Sequence, residues 1–314
     1  MAEKMKVMID MDIGDDIDDA IALYAAMRQG FDIIGITTVF RNTVERARQA
    51  KKLLKEYGNG YENTPVYAGH GTPLREKARE LCHIPHYTPE LEEDIYAPDG
   101  NTPDDAVDFI IDACYKYGKE LTVIAIGPFT NIAKVIEKDA NALGMAGKVA
   151  IMGGAYYKQY ADWNVICDVE AADIMFRSLG NLVCVGADVT HLTVSEERLY
   201  SNLLDYKGKE KGHIYLTRLC KLWRKDRPSA KLVLHDPLVI YYLAYPDILG
   251  MKQAPIVVLT DGYARGITLN VDAYSKKRLN PAPYAGFNGE HKALVAATVD
   301  LKVFGAHIFE DMDL

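Results

Sequence analysis

No stretch of this 314-residue chain stays apolar for the ~18 positions that a membrane-spanning helix needs, and the longest apolar runs are of strand length. Basic clusters are missing too. Lysine and arginine total 36 against 44 aspartates and glutamates, for a net charge of -8. Sequence-independent binding of nucleic acid needs cations for the phosphates, so that class of function is excluded. Cysteine is sparse. Cys82, Cys114, Cys167, Cys184 and Cys220 are scattered, with no CxxC pair and no histidine at zinc-ligand spacing. They read as reduced core thiols, not as a disulfide framework or a structural zinc site. The opening MAEKMKVMID has no hydrophobic signal core followed by a cleavage site. No Gly/Ser/Pro linker, repeat or low-complexity tract divides the chain. These absences leave a cytoplasmic globular protein as the expectation, one domain over residues 1–314 with no membrane or nucleic-acid partner.

What is present is an alternation. Strand-like apolar runs stand at 5–10, 32–39, 121–126, 148–152, 182–187 and 255–260. Helical patterns lie between them. One covers 18–28; another covers 43–57, with Ala47, Ala50, Leu53 and Leu54 on one face. Thr102, followed by Pro103, Asp104 and Asp105, has the cap, the first-turn proline and the acids of a helix start. Apolar strands alternating with helices predict an α/β fold: a mainly parallel, Rossmann-like sheet covered by helices on both faces. Two stretches, 75–102 and 200–232, read as long surface excursions that would wall a site. In such sheets the site lies at the carboxyl ends of the strands.

After the first strand the chain reads Asp10-Met-Asp12-Ile-Gly14-Asp15-Asp16-Ile-Asp18-Asp19-Ala20, six carboxylates in ten residues. A helix start accounts for two of them, Asp16 as cap and Asp19 in the first turn. It does not account for Asp10 and Asp12, which end a buried strand. Crowded like charges call for a cation, and oxygen-only ligands suit a hard ion such as Ca²⁺ or Mg²⁺. The spacing is not that of an EF-hand, since the twelfth position from Asp10 is Ile21.

This loop resembles the signature of the nucleoside hydrolases, D-x-D-P-G-x-D-D-A, in a variant form D-x-D-I-G-x-D-x-D-D-A. Further segments resemble the family in the same order: ITTVFRN at 36–42, GPFTNI at 127–132, MGGA at 152–155 with Asp162-Trp163-Asn164 and Asp168-Val-Glu-Ala-Ala172, and HDP at 235–237. The resemblance implies calcium-dependent hydrolysis of the N-glycosidic bond of a ribonucleoside, giving free base and ribose. It implies calcium ligands Asp12, Asp19, Asp236 and the carbonyl of Thr130, with Asp18 as the base that takes the water's proton. Asn42, Met152, Asp162, Trp163 and Asn164 would orient the ribose. His235 would serve the departing base or orient its neighbours, and Asp10 would support the metal shell. Such enzymes are often homodimers or homotetramers.

The chain departs from the pattern in four places. Asp162 replaces a glutamate. Tyr156 stands where many members place an asparagine that contacts the 5′-hydroxyl. No H-G-x-D-G-L-G segment occurs, and 83–101 is divergent there. Two extra residues lengthen the acidic loop, so two registers are open. From the helix side Asp18 and Asp19 are base and ligand, which keeps every oxygen. From the strand side Asp16 is the base and Ile17 falls on a ligand position. Trp223, on an apparent helix, is either core or a stacking platform for the base. Two other readings compete. A haloacid-dehalogenase-like phosphotransferase would use Asp10 as nucleophile and Asp12 with Mg²⁺, yet it explains neither GPFTN nor HDP. A non-catalytic calcium-dependent ribose- or nucleoside-binding protein would keep the same ligands.

Overall fold

The computed structural model describes residues 4–75, 83–195, 197–272 and 291–312. Eight strands form the main sheet: β1 (Lys6–Met11), β2 (Asp32–Thr38), β3 (Val66–Ala68), β4 (Leu121–Ala125), β5 (Lys148–Met152), β6 (Leu182–Val185), β7 (Leu249–Ala254) and, after two strands outside it, β10 (Ala293–Val299). Their order is β3-β2-β1-β4-β5-β6-β10-β7. All neighbours are parallel except β7 with β10. The strand order reverses between β1 and β4, the switch point at which doubly wound sheets open a crevice. The expected mainly parallel, Rossmann-like α/β sheet is therefore present.

Helices α1 (Asp18–Arg28), α2 (Thr43–Tyr57), α3 (Pro103–Tyr117), α4 (Thr130–Lys138), α5 (Ala142–Met145), α6 (Trp163–Cys167), α7 (Val169–Ser178), α8 (Ala187–Thr190), α9 (Glu197–Leu204), α10 (Lys211–Asp226) and α11 (His235–Ala244) follow in chain order. Side chains alternate across a strand. On β1, Val7, Ile9 and Met11 join the apolar cluster that also takes in α1, α2, α10 and α11. Met8 points the other way, into the cluster of α3, α4 and α7. Both faces are thus covered. Among the described residues no helix is long and apolar enough to cross a membrane.

Three expectations change. The run at 255–260 does not enter the main sheet: β8 (Ile256–Val258) pairs antiparallel with β9 (Thr268–Asn270) in a separate two-stranded sheet. The 200–232 stretch is not a loose excursion, since it holds most of α9 and all of α10, which packs on α2 and α1. Trp223 on α10 is core, 1% exposed and edge-on to Tyr200 at 5.7 Å, so it is no platform for a base. Thr102 does open α3, and the Asp105 carboxylate accepts its N–H at 2.9 Å. Cys114, Cys167, Cys184 and Cys220 are buried free thiols, and Cys82 lies outside the described residues.

Candidate active site

The acidic loop leaves the end of β1 and turns into α1. Gly14 sits in the left-handed region at φ +120°, and a side chain there would run into Ile84, which packs on the loop. Arg46, wholly buried on α2, clamps the loop from below. It donates to the carbonyls of Asp12 and of Ile13 (2.9 Å), to the Asp15 carboxylate (2.7 Å) and to the Phe40 carbonyl (2.8 Å). The sequence carried a signal for this. Arg46 precedes Ala50 by four residues and Leu53 by seven, so it lies on the buried face of its helix. Asp15 is partly exposed and keeps Arg41 as a partner, so the main cost of losing Arg46 is the carbonyls of Asp12, Ile13 and Phe40 left without this donor, about 1–3 kcal/mol for an unsatisfied buried group. Arg46→Met is expected to lower the urea midpoint accordingly. A loss under about 1 kcal/mol would show that the loop does not depend on this clamp.

Two helix starts meet at the loop. Asp18 and Asp19 lie in the first turn of α1, and Asp236 lies in the first turn of α11, which packs along α1. One carboxylate oxygen from each lies within 4.8 Å of the others, and all three residues are buried. The Asp12 N–H donates to Asp19 Oδ1 at 3.2 Å, and the Asp236 N–H donates to Asp18 Oδ2 at 3.2 Å. Burial raises the proton affinity of all three well above the usual carboxylate range. The charges of Asp16 on Asp18, of Asp12 on Asp19 and of Asp18 on Asp236 raise it further. Burial raises Asp12 to about 6, against the pull of Arg46. Helix N-termini favour carboxylates, but not three at this spacing. A hard divalent cation suits such an oxygen-only set.

Asp10 stands apart. It is fully buried, and its Oδ1 accepts from Thr37 Oγ1 (2.6 Å) and Asn131 Nδ2 (2.7 Å). Burial lifts it to about 7. Its side chain bonds β2 and α4 and does not line the cavity, so the phosphotransferase reading loses its nucleophile. Asn131 also bonds the Thr38 carbonyl and accepts the His70 N–H, tying β1, β2 and α4 together. Asp16 is not the cap expected of it. The N-cap of α1 is Ile17, with no side-chain cap. Asp16 instead accepts its neighbour's N–H (2.8 Å) and faces Arg227 (3.3 Å).

A cavity of about 580 Å³ opens over this cluster. Asp12, Asp18, Asp19, Met152, Asp162, Trp163, Asn164, His235 and Asp236 all line it. Asn164 is fixed by bonds from its Nδ2 to the carbonyls of Ile126 (2.9 Å) and Met152 (3.1 Å). Asp162 caps α6 by accepting the Asn164 N–H, and burial raises it to about 6. His235 Nδ1 meets Thr190 Oγ1 at 2.6 Å. Burial, aided by His191, lowers His235 to about 4, so its imidazole is neutral near pH 7.

Two implied residues do not reach the wall. Thr130 opens α4, where a first-turn carbonyl points along the helix, and its hydroxyl bonds Asp168 at 2.7 Å. The cavity-lining residue of that strand end is Ile126. Next to it, Gly127 leaves no room for a side chain beside Asp12 and Val39. Asn42 caps α2 by accepting the Glu45 N–H. Arg41 takes the wall instead, presented by left-handed backbone at Phe40 (φ 68°) and Arg41 (φ 59°).

The doubly wound sheet and the acid-lined cavity at its switch point define an α/β enzyme with a carboxylate active site. A family model for inosine-uridine preferring nucleoside hydrolases matches residues 7–306, and the chain belongs to that family. A probable uridine nucleosidase 2 of Oryza sativa subsp. japonica is 29% identical over 94% of this chain and 89% of its own length. A solved plant nucleoside hydrolase superposes with a TM-score of 0.81 at 26% identity, covering 99% of both chains. A purine-preferring ribonucleoside hydrolase from Gardnerella vaginalis superposes at 0.76 with 25% identity over 98% of both. The protein is a nucleoside N-ribohydrolase, which hydrolyses the glycosidic bond of ribonucleosides.

Proposed function

We propose that this hydrolysis depends on calcium, with Asp12, Asp19 and Asp236 as side-chain ligands, Asp18 as the proton acceptor and His235 at the leaving base. The observation that carries the reading is the meeting of the buried Asp18, Asp19 and Asp236 carboxylates, from two distant segments, within 4.8 Å; Asp12 lines the same cavity, and its N–H donates to Asp19. When bound, the ion would acidify a water and hold the vicinal ribose hydroxyls. Asp18 would take the proton from that water, its Oδ2 aimed by the Asp236 N–H. Ile126, which lines the cavity where Thr130 does not, would offer its main-chain carbonyl, an oxygen that also accepts from Asn164 Nδ2. Asp162 and Asn164, fixed to α6 and to the ends of β4 and β5, would orient the ribose. Seven aspartates line the cavity against two arginines, Arg41 and Arg227. Even with a divalent ion the wall stays acidic, which favours a neutral nucleoside over its phosphate. A crystal grown with calcium tests the ligand set: an ion about 2.3–2.6 Å from Asp12, Asp19 and Asp236 is expected. A tetrahedral ion or an ion elsewhere contradicts it.

With Nδ1 taken up by Thr190, His235 has Nε2 for the departing base. A neutral imidazole can polarise the base through an Nε2–H donor. His235→Ala is expected to slow inosine or uridine by about 10²-fold or more, the range of general-acid effects. It should spare p-nitrophenyl riboside, whose leaving group needs no proton. Equal losses on both would assign His235 to positioning.

A further inference from the structure

Tyr156, at the place of the missing asparagine, is turned inward. It is 2% exposed, its hydroxyl donates to the Gly153 carbonyl at 2.6 Å, and its N–H goes to Asp188. It cannot reach a ligand. Four residues later the same loop brings Tyr160, partly exposed, to the cavity wall. The Tyr160 hydroxyl lies 2.9 Å from Nδ1 of His191, which also lines the cavity. The His191 ring stands edge-to-face with His235 at 5.1 Å.

Topology places this pair. Along the carboxyl edge of the sheet the strands run β1, β4, β5, β6. The acidic loop follows β1, Tyr160 follows β5 and His191 follows β6. The pair therefore lines the β5–β6 side of the cavity beside His235, the residue assigned to the base, and in a β-nucleoside C5′ projects from the same face of the ribose as the base, opposite the 2′- and 3′-hydroxyls. Its chemistry is specific. A Tyr160 O–H that donates to Nδ1 leaves the His191 proton on Nε2. The pair then offers one donor, Nε2–H, and one acceptor, the phenolic oxygen. A hydroxyl, donor and acceptor at a single oxygen, uses both.

We propose that Tyr160 and His191 bind the primary hydroxyl at C5′ of the substrate and so set its specificity for nucleosides with that hydroxyl free. This inference rests on the hydrolase reading above. It is tested with inosine and uridine, their 5′-deoxy analogues and p-nitrophenyl riboside, using Tyr160→Phe and His191→Ala. Both side chains are partly exposed, so both variants are expected to melt like the unaltered protein. The unaltered protein is expected to favour the 5′-hydroxyl by about tenfold or more in kcat/KM, the value of a satisfied polar contact. Each variant should lose about that factor on inosine and uridine and almost nothing on the 5′-deoxy analogues. Equal losses on the hydroxylated and deoxy substrates overturn the assignment. Losses on nucleosides that vanish with p-nitrophenyl riboside would place the pair at the leaving base and overturn it too. Release of no base from any nucleoside by the unaltered protein contradicts the hydrolase reading itself.

Discussion

Asp18→Ala is expected to fold, to bind calcium and to lose about 10²–10⁴ in kcat, the usual cost of a missing general base. The longer acidic loop left two candidates for that base, and the structure separates them physically. Asp18 belongs to the buried cluster with Asp19 and Asp236. Asp16 does not. It is 46% exposed and paired with Arg227, itself 39% exposed. Such surface pairs contribute about 0–1 kcal/mol. Asp16→Ala should therefore keep most of its turnover and shift its melting point little. The strand-side register would also put Ile17 on a ligand position, and Ile17 is fully buried with no side-chain oxygen. Loss of turnover in Asp16→Ala with activity kept in Asp18→Ala would restore that register.

Asp236→Asn is expected to abolish the response to calcium while stabilising the metal-free protein. In the absence of a cation Asp12, Asp18, Asp19 and Asp236 repel one another, so removing one charge relieves the others. Calcium at 100 times its Kd should stabilise the unaltered protein by about 2.7 kcal/mol and the variant by nothing. The pH dependence has a definite sign. These carboxyls hold protons more tightly folded than unfolded. Metal-free stability should thus fall as pH rises from about 4, the unfolded value, through about 6, where Asp12 titrates in the fold. Calcium needs the deprotonated ligands, so its affinity should rise over the same interval. Thermal melts with and without calcium at pH 5 and pH 8 read both effects. A calcium shift that is the same at the two pH values, or a destabilised metal-free Asp236→Asn, would contradict this reading of the cluster.

Much of this was legible in the chain. Continuous apolar runs marked most of the parallel strands and period-3.6 patterns their helices, because strands covered on both faces and helices packed on one must each supply that apolar surface. The acidic loop was legible because six carboxylates at a strand end have no structural use of that size. What was missed follows from tertiary contacts. A sequence pattern gives a residue's neighbourhood but not its direction. Asn42 and Arg41 are adjacent, and a left-handed turn sends Arg41 to the cavity and Asn42 to a helix cap. Thr130 and Ile126 are four residues apart, and helix geometry turns the Thr130 carbonyl away. The β8 run is apolar enough for a core strand, yet it pairs with β9 outside the main sheet. Trp223 was undecided in sequence because core and platform tryptophans share one pattern; burial against Tyr200 decides it.

The most direct test is chromatographic. Inosine, uridine, adenosine and cytidine are each incubated with the protein, and free base and ribose are quantified before chelation, after chelation and after calcium is restored. Stoichiometric release of base and ribose from at least one nucleoside, abolished by the chelator and recovered with calcium, is the predicted result. Full activity in the metal-stripped protein would contradict the account at its centre, the carboxylate cluster of Asp18, Asp19 and Asp236 with Asp12 beside it.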